Sequence, residues 1–283
     1  MTDSDPHKLF PYRAIVDAPK IVWPNGARVA VWVIPNVERY RMEIGNPLPD
    51  IRNHSRKDYG NRVGIWRVME AMARHKVRGT VALNGEVGLH YPRIMQAMKE
   101  ANWELMGHGM TNSRPLSGLE KDAEREVILA TRKVIEDHGQ KMKGWLGPGL
   151  TETFNTPDLL KEAGVEYVAD WVNDDLPYRF HNGLYSIPYS IEINDMPLFN
   201  TPSIGVDDFE RRITESFDVL CEEAEATGSG RVLGIALHPF LIGSPHRIKY
   251  LDRALAHMAW YDRAWFATGS EIIDVYRAQE KAA

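Results

Sequence analysis

Cysteine is almost missing from this chain: Cys221 is the only one in 283 residues. A single thiol excludes an intrachain disulfide and any cysteine-based zinc site. Its neighbours Glu222 and Glu223 would raise its pKa, so a buried or idle thiol is expected rather than a nucleophile. Long apolar runs are missing as well. The strongest, 29–35, falls far short of the roughly 20 residues that span a bilayer as a helix. Positive charge is in deficit, with 34 Lys and Arg against 39 Asp and Glu, a formal net charge of -5 and a pI near 6.1. Phosphate binding calls for clustered cations, so nucleic acid is not expected as a partner, nor is a membrane. The opening Met1-Thr2-Asp3-Ser4-Asp5-Pro6 is acidic and lacks an apolar core, which reads as no secretory signal and a cytoplasmic setting. Repeats, low-complexity tracts and linkers rich in Pro, Gly or Ser are not found.

What is present is an ordinary folded composition, 43% hydrophobic and 26% charged, which rules out wholesale disorder. Strand-like and helix-like stretches alternate. Short apolar runs at 28–34, 79–83, 103–106, 143–146, 167–171, 184–189, 232–237 and 265–268 read as strands. Helices are expected at 59–75, 91–101, 156–163, 207–227, 248–261 and 269–279. The longest is expected to open on a capping box, Ser117-Gly118-Leu119-Glu120, and to run to His138. Leu119, Ala123, Val127, Ala130 and Val134 would form its buried face. Thr156 is expected to cap the next helix, with Pro157 at its first position.

Alternating βα units imply a parallel sheet covered by helices, and eight strand candidates suit a βα barrel. An open doubly wound sheet is the competitor. It would want G-x-G-x-x-G after the first strand, where Pro35-Asn36-Val37-Glu38 stands instead, so the barrel is preferred. The expectation is one α/β domain over residues 1–283, with 1–21 as an N-terminal extension.

Unusual polar residues fall just past the predicted strands: Asn36 and Glu38, Asn84 and Glu86, His108 and Asn112, Asp170 with Asn173, Asp174 and Asp175, and His238. In a βα barrel those ends share one mouth. Loops are polar in any protein, but a carboxylate and two histidines directly after apolar strands suggest a site.

Five blocks then occur in order: Asn36-Val37-Glu38; Tyr59-Gly60-Asn61-Arg62-Val63-Gly64-Ile65-Trp66-Arg67; Glu104-Leu105-Met106-Gly107-His108-Gly109, followed by Asn112; Gly144-Trp145-Leu146-Gly147-Pro148-Gly149; and Leu237-His238-Pro239. Through them the chain resembles the NodB-type polysaccharide deacetylase superfamily, in particular its branch of cofactor-independent allantoinases and cyclic-imide hydrolases. The resemblance runs from about Val22 to Tyr276. It implies a single distorted (β/α) barrel, and, from its cytosolic members, a homotetramer.

In the classical deacetylases one Asp is the base, while a second Asp and two His hold a divalent metal. By resemblance Asn36 stands at the base position, Glu38 at the metal Asp, and His108 and Asn112 at the two His. An amide takes no proton near neutral pH, so Asn36 cannot be a base. Asn112 is a poor ligand for zinc, so Glu38, His108 and Asn112 would make at most a weak or vestigial metal site. No tightly bound cofactor is expected, with zinc or another divalent metal left open.

The resulting expectation is a hydrolase acting on a non-peptide carbon–nitrogen bond of a small cyclic ureide, imide or amide. His108 and Glu38 would position or activate water, and His238 would protonate the departing nitrogen. Arg62 or backbone N–H groups would stabilise the oxyanion. Arg62, Trp66, Asn112, Trp145, Asp170 and Asp174 are the expected substrate-binding residues. For Glu38 the plainer reading is a loop carboxylate paired with Arg62 or Arg67, and for Trp66 the plainer reading, a core residue, is the stronger one. A metal-dependent deacetylase of N-acetylated sugars is the enzymatic alternative. A non-catalytic barrel binding a carbohydrate or metabolite is the other.

Overall fold

The first strand, β1 (Val29–Val37), is buried along its whole length, as its β-branched and aromatic content demands. In the computed structural model, which describes residues 5–42, 49–201 and 204–280, β1 is the axis of the molecule. Parallel neighbours are β2 (Thr80–Leu83), β3 (Glu104–Gly107), β4 (Gly144–Trp145) and β5 (Tyr167–Val168). β6 (Tyr178–Arg179) and β7 (Tyr185–Ser186) form a short antiparallel pair at the far edge. β8 (Arg231–Leu237) flanks β1 on the other side, and β9 (Ala264–Phe266) pairs with the start of β1 below β2. The order β6-β7-β5-β4-β3-β2-β1-β8 curls into a half-barrel, a distorted α/β barrel. Two irregular segments lie along β8: Asn194, past β7, bridges Ala236, and Asp175, between β5 and β6, accepts the Val232 amide on its carbonyl at 3.0 Å.

The eight expected strands are all present, and the ladder adds β6. β4, β5 and β7 are only two residues long, because the chain leaves the ladder soon after entering it. Helices cover the outside: α1 (Ile51–Tyr59), α2 (Ile65–Arg74), α3 (Gly85–His90), α4 (Pro92–Glu100), α5 (Lys121–Asp137), α6 (Thr156–Glu162), α7 (Asp195–Asn200), α8 (Asp207–Thr227), α9 (Pro239–Ile242), α10 (Ile248–Trp260) and α11 (Gly269–Glu280). Among the described residues no helix is long and apolar enough to cross a membrane.

Period-two alternation sorts β1 between two cores. Val29, Val31, Val33 and Val37 face the helices, while Ala30, Trp32 and Ile34 face the barrel interior. Full burial of each Val or Ile contributes about 1.5–3 kcal/mol. Trp32 fills the interior, set edge-on to Tyr167 and Tyr189 with centroids 6.3 and 6.5 Å away.

Four local expectations need correction. The helix expected from Tyr59 begins at Ile51, after Asp50, whose carboxylate accepts the Asn53 amide at 2.9 Å. α1 buries none of its residues, so no apolar period announced it. Between α1 and α2, residues Gly60–Gly64 form a π-helical turn. The expected capping box does not form: α5 starts at Lys121 with Glu120 as an N-cap that makes no side-chain bond. Its buried face is Glu124, Ile128, Thr131, Val134 and Ile135 rather than the face through Ala123 and Ala130. Glu124 can be inside because its oxygens accept the hydroxyls of Thr153 and Thr156. Thr156 is the first residue of α6 rather than its cap, a shift of one position. Cys221 is buried in α8, and burial pushes its thiol up to about 11. Met1 to Ser4, part of the N-terminal reading, lie outside the described residues.

Candidate active site

The alternation that turns Ala30, Trp32 and Ile34 inward also turns Asn36 and Glu38 inward one and two steps further on. The same parity follows Met106 with His108 on β3, Ala82 with Asn84 on β2, and Ala236 with His238 on β8. Four strands thus deliver polar side chains to one end of the interior. Asn84 ties two of the ends together, accepting the Arg39 amide at 2.9 Å and donating to the His108 carbonyl.

Glu38 is at the centre. Its Oε2 accepts the Tyr40 hydroxyl at 2.7 Å, and its Oε1 accepts the Asn112 amide at 2.5 Å. His108 Nε2 lies 3.4 Å from Oε1 and His238 Nε2 3.7 Å from the same oxygen. The Glu38 and His108 side chains are 3% and 2% exposed, so this is a nearly dry group of charges. His108 Nδ1 is 2.6 Å from the Leu146 carbonyl. A carbonyl only accepts, so the ring carries a proton on Nδ1 and turns Nε2 toward Glu38. His238 Nδ1 is 2.7 Å from Asp195 Oδ1, which fixes its Nδ1 proton in the same way. Asn36 donates to the Ile34 and Leu237 carbonyls and to the Tyr189 hydroxyl, so its amide braces β1 against β8.

Burial pushes the Glu38 carboxyl up, but His238, His108 and Tyr40 outweigh it and hold it below the ordinary value. Burial pulls His238 down, while the carboxylates of Glu38 and Asp195 win and raise it. Both shifts favour the charged forms, a carboxylate on Glu38 and an imidazolium on His238. Asp195 is buried and pushed up, with His238 opposing. Tyr40 is raised by burial and by Glu38, so it stays a phenol and a donor. The Lys57 ammonium lies 3.4 Å above the Tyr40 ring; burial lowers it and Glu38 pulls it back.

The other residues expected around the site are dispersed. Asn112 joins Glu38. Arg62 is three-quarters exposed on the π-turn and paired with Asp58. Trp66 is half-buried with Arg93 over its ring, 5.7 Å from the centroid. Trp145 faces the helix-side core, fully buried. Asp170 accepts the Gly147 amide at 2.7 Å, and burial beside Glu152 raises it. Asp174 caps Leu176 and meets Arg13 at 3.5 Å. Asp195, Tyr40, Lys57 and Tyr189 were not singled out from the sequence. Tyr40, two residues past Glu38 and of the same parity, was within reach of the pattern; Asp195 had no such signal.

As to metal, Glu38, His108 and Asn112 are adjacent, but Asn112 presents its N–H to Glu38. Among the described residues no group of three or more His, Cys, Asp or Glu is arranged to hold an ion.

The curled α/β sheet thus gathers a carboxylate and two imidazoles at its carboxyl ends, groups able to take and give a proton beside a bound molecule. Residues 57–168 match the family model of polysaccharide deacetylase. The chain is similar to the crystal structure of PuuE allantoinase, with a TM-score of 0.84, 26% identity and coverage of 94% of this chain and 97% of that one. It is equally similar to the structure of a probable polysaccharide deacetylase from Pseudomonas aeruginosa PAO1, with a TM-score of 0.84, 27% identity and coverage of 93% and 95%. A Schizosaccharomyces pombe protein named "Putative polysaccharide deacetylase" is 27% identical over 300 residues, 91% of this chain and 92% of its own length. The chain is thus similar to polysaccharide deacetylases and, among solved structures, to PuuE allantoinase.

Proposed function

We propose that the protein hydrolyses a carbon–nitrogen bond in a small cyclic ureide, imide or amide, without a tightly bound metal. The observation that carries this reading is a single buried carboxylate, Glu38, flanked at 3.4 and 3.7 Å by the Nε2 atoms of His108 and His238. Water is held against the Glu38 carboxylate and the His108 ring edge. As its oxygen bonds to the substrate carbonyl carbon, its proton goes to Glu38, which is ionised at neutral pH. The tetrahedral intermediate then loses its carbon–nitrogen bond, and the nitrogen takes the proton from His238 Nε2. Asp195 keeps the other proton on Nδ1 and stabilises the imidazolium. The proton on Glu38 passes to His238, the product acid releases one to the medium, and the site is restored.

For the oxyanion we assign Lys57 in place of Arg62. Support comes from its position over Tyr40, whose hydroxyl bonds Glu38, and from the pull that Glu38 exerts on it. The ligand set does not fit a tightly held dication. Both Glu38 oxygens face N–H or O–H donors, and the third position offers the amide nitrogen of Asn112. A small-molecule substrate is favoured because the reacting groups are buried. We place the enzyme in the cytoplasm as a homo-oligomer, a tetramer on the family resemblance, which size-exclusion chromatography with light scattering checks. Residues 1–283 act as one domain in this reading.

Purified protein is tested against allantoin, hydantoin, succinimide and N-acetylglucosamine oligomers, with and without chelator. Turnover of a cyclic substrate that survives chelator is the expected result. Chelator-sensitive release of acetate would establish the sugar deacetylase instead, and binding without turnover of any of them would establish the non-catalytic barrel.

A further inference from the structure

The block Tyr59-Gly60-Asn61-Arg62-Val63-Gly64-Ile65-Trp66-Arg67 contributes no group to the chemistry proposed above, yet it touches both halves of the site. Its π-turn lies on α9, the segment that directly follows His238. A Cβ on Gly64 would stand 2.0 Å from the Pro239 carbonyl oxygen, and one on Gly60 2.8 Å from the Phe240 nitrogen. From the other side, a Cβ on Gly243 would stand 2.5 Å from the Gly64 Cα. Backbone meets backbone here, so only glycine fits. Arg67 Nη1 closes the contact by donating to the Gly243 carbonyl at 2.9 Å and to the Tyr59 hydroxyl. Asn61, buried on the same turn, donates its Nδ2 to the Glu38 carbonyl at 2.8 Å.

One five-residue turn thus grips the end of β1 at Glu38 and the segment after His238. We infer that this block is a clamp that sets the distance between Glu38 and His238, with Gly60, Asn61, Gly64 and Arg67 as positioning residues. The inference rests on the reading of Glu38 and His238 as the reacting pair. Proton transfer tolerates little misplacement: a shift of about 1 Å can cost about 10²-fold in rate. A π-turn at this place agrees with the tendency of such turns to occur at functional sites. The far side of the segment is fixed by Asp195, which accepts the His238 amide at 2.9 Å and the Ile242 amide at 3.3 Å. Exchange of those two amides therefore reports how firmly the segment is held.

The test uses full-length Gly60→Ala, Arg67→Met and Arg67→Lys. Amide hydrogen exchange is followed at His238 and Ile242 against Val31 and Val33 of β1, and kcat and KM are measured with allantoin, hydantoin and succinimide. In Gly60→Ala and Arg67→Met, exchange at 238 and 242 rises about tenfold or more while β1 is unchanged. kcat falls by about 10²-fold with little change in KM. Arg67→Lys, which keeps a donor for the Gly243 carbonyl, restores most of both. Folded variants with normal exchange and normal kcat overturn the clamp, as does an Arg67→Lys no better than Arg67→Met. Should Gly60→Ala fail to fold, the Arg67 pair decides by itself. Should wild type turn over none of the three probes, the hydrolase reading fails, and exchange still decides the clamp: acceleration confined to 238–243 supports it and unchanged exchange overturns it.

Discussion

Asp195 accepts three hydrogen bonds from His238 and its own helix: the ring Nδ1–H at 2.7 Å, the His238 amide, and the amide of Ile242. A buried carboxylate so placed fixes the tautomer and the orientation of the imidazole and favours its charged form.

Asp195→Asn removes that charge and leaves the shape. The His238 pKa then falls toward its ordinary value. His238 must be protonated to act, so activity is present below its pKa and lost as pH rises through it. The alkaline limb of the kcat profile therefore moves to lower pH, and kcat at pH 7.5 drops by roughly 10²-fold or more. An unmoved alkaline limb would falsify the assignment of His238 as the acid.

Tyr40→Phe deletes the hydroxyl bonded to Glu38 Oε2. That bond is one of the influences holding Glu38 down, so its loss raises the Glu38 pKa. Glu38 must be ionised to act, so the acidic limb moves to higher pH. A fluorimetric pH–rate series on wild type and variant checks both direction and size; movement to lower pH would contradict the scheme.

Lys57→Met keeps much of the stem packed on Tyr40 but removes the charge. If Lys57 meets the oxyanion, kcat falls by about 10²–10³-fold with KM little changed, the size seen when a single oxyanion donor is lost. A rise in KM alone would instead make it a ground-state binding group.

The protein purified without added metal is expected to hold well under one equivalent of zinc, and chelator is expected to leave kcat unchanged. Asn112→His supplies an imidazole in place of the amide and raises zinc affinity, provided the ring reaches about 2.0–2.1 Å from the ion. Elemental analysis and zinc titration of both proteins test this. Stoichiometric zinc on Glu38 and His108 of the unmodified protein would return the sugar deacetylase to first place.

Glu152 is pushed up to about 7 by burial, with Glu124 adding to the rise. Its carboxyl is therefore protonated in the folded protein over a range where the unfolded chain is ionised. The stability it contributes is fully present below about pH 4.5 and is lost as pH rises through about 7. Glu152→Gln removes this dependence, by roughly 1–3 kcal/mol across that window. Thermal melts at pH 5 and pH 8 show it: the wild-type Tm falls toward pH 8 by more than the Tm of the variant does.

The sequence by itself determined the order of eight strands and of the seven helices α2, α4, α5, α6, α8, α10 and α11, because each buried strand needs a short β-branched run and each of those helices an apolar stripe; the short α3, α7 and α9 carry too little of one to be announced. It also determined which polar residues turn inward: Glu38, His108 and His238 continue the interior parity of Ile34, Met106 and Ala236, and parity is a local property of an extended chain. It did not announce α1, which buries nothing, or the true buried face of α5, where Glu124 is inside because Thr153 and Thr156 come to meet it from another element. Only the tertiary structure brought Asp195 to His238 across 43 residues and Lys57 over Tyr40, and left Arg62 outside, paired with Asp58. Those arrangements depend on where irregular segments return to the sheet, and such returns are set by packing between distant parts of the chain, which no local spacing encodes.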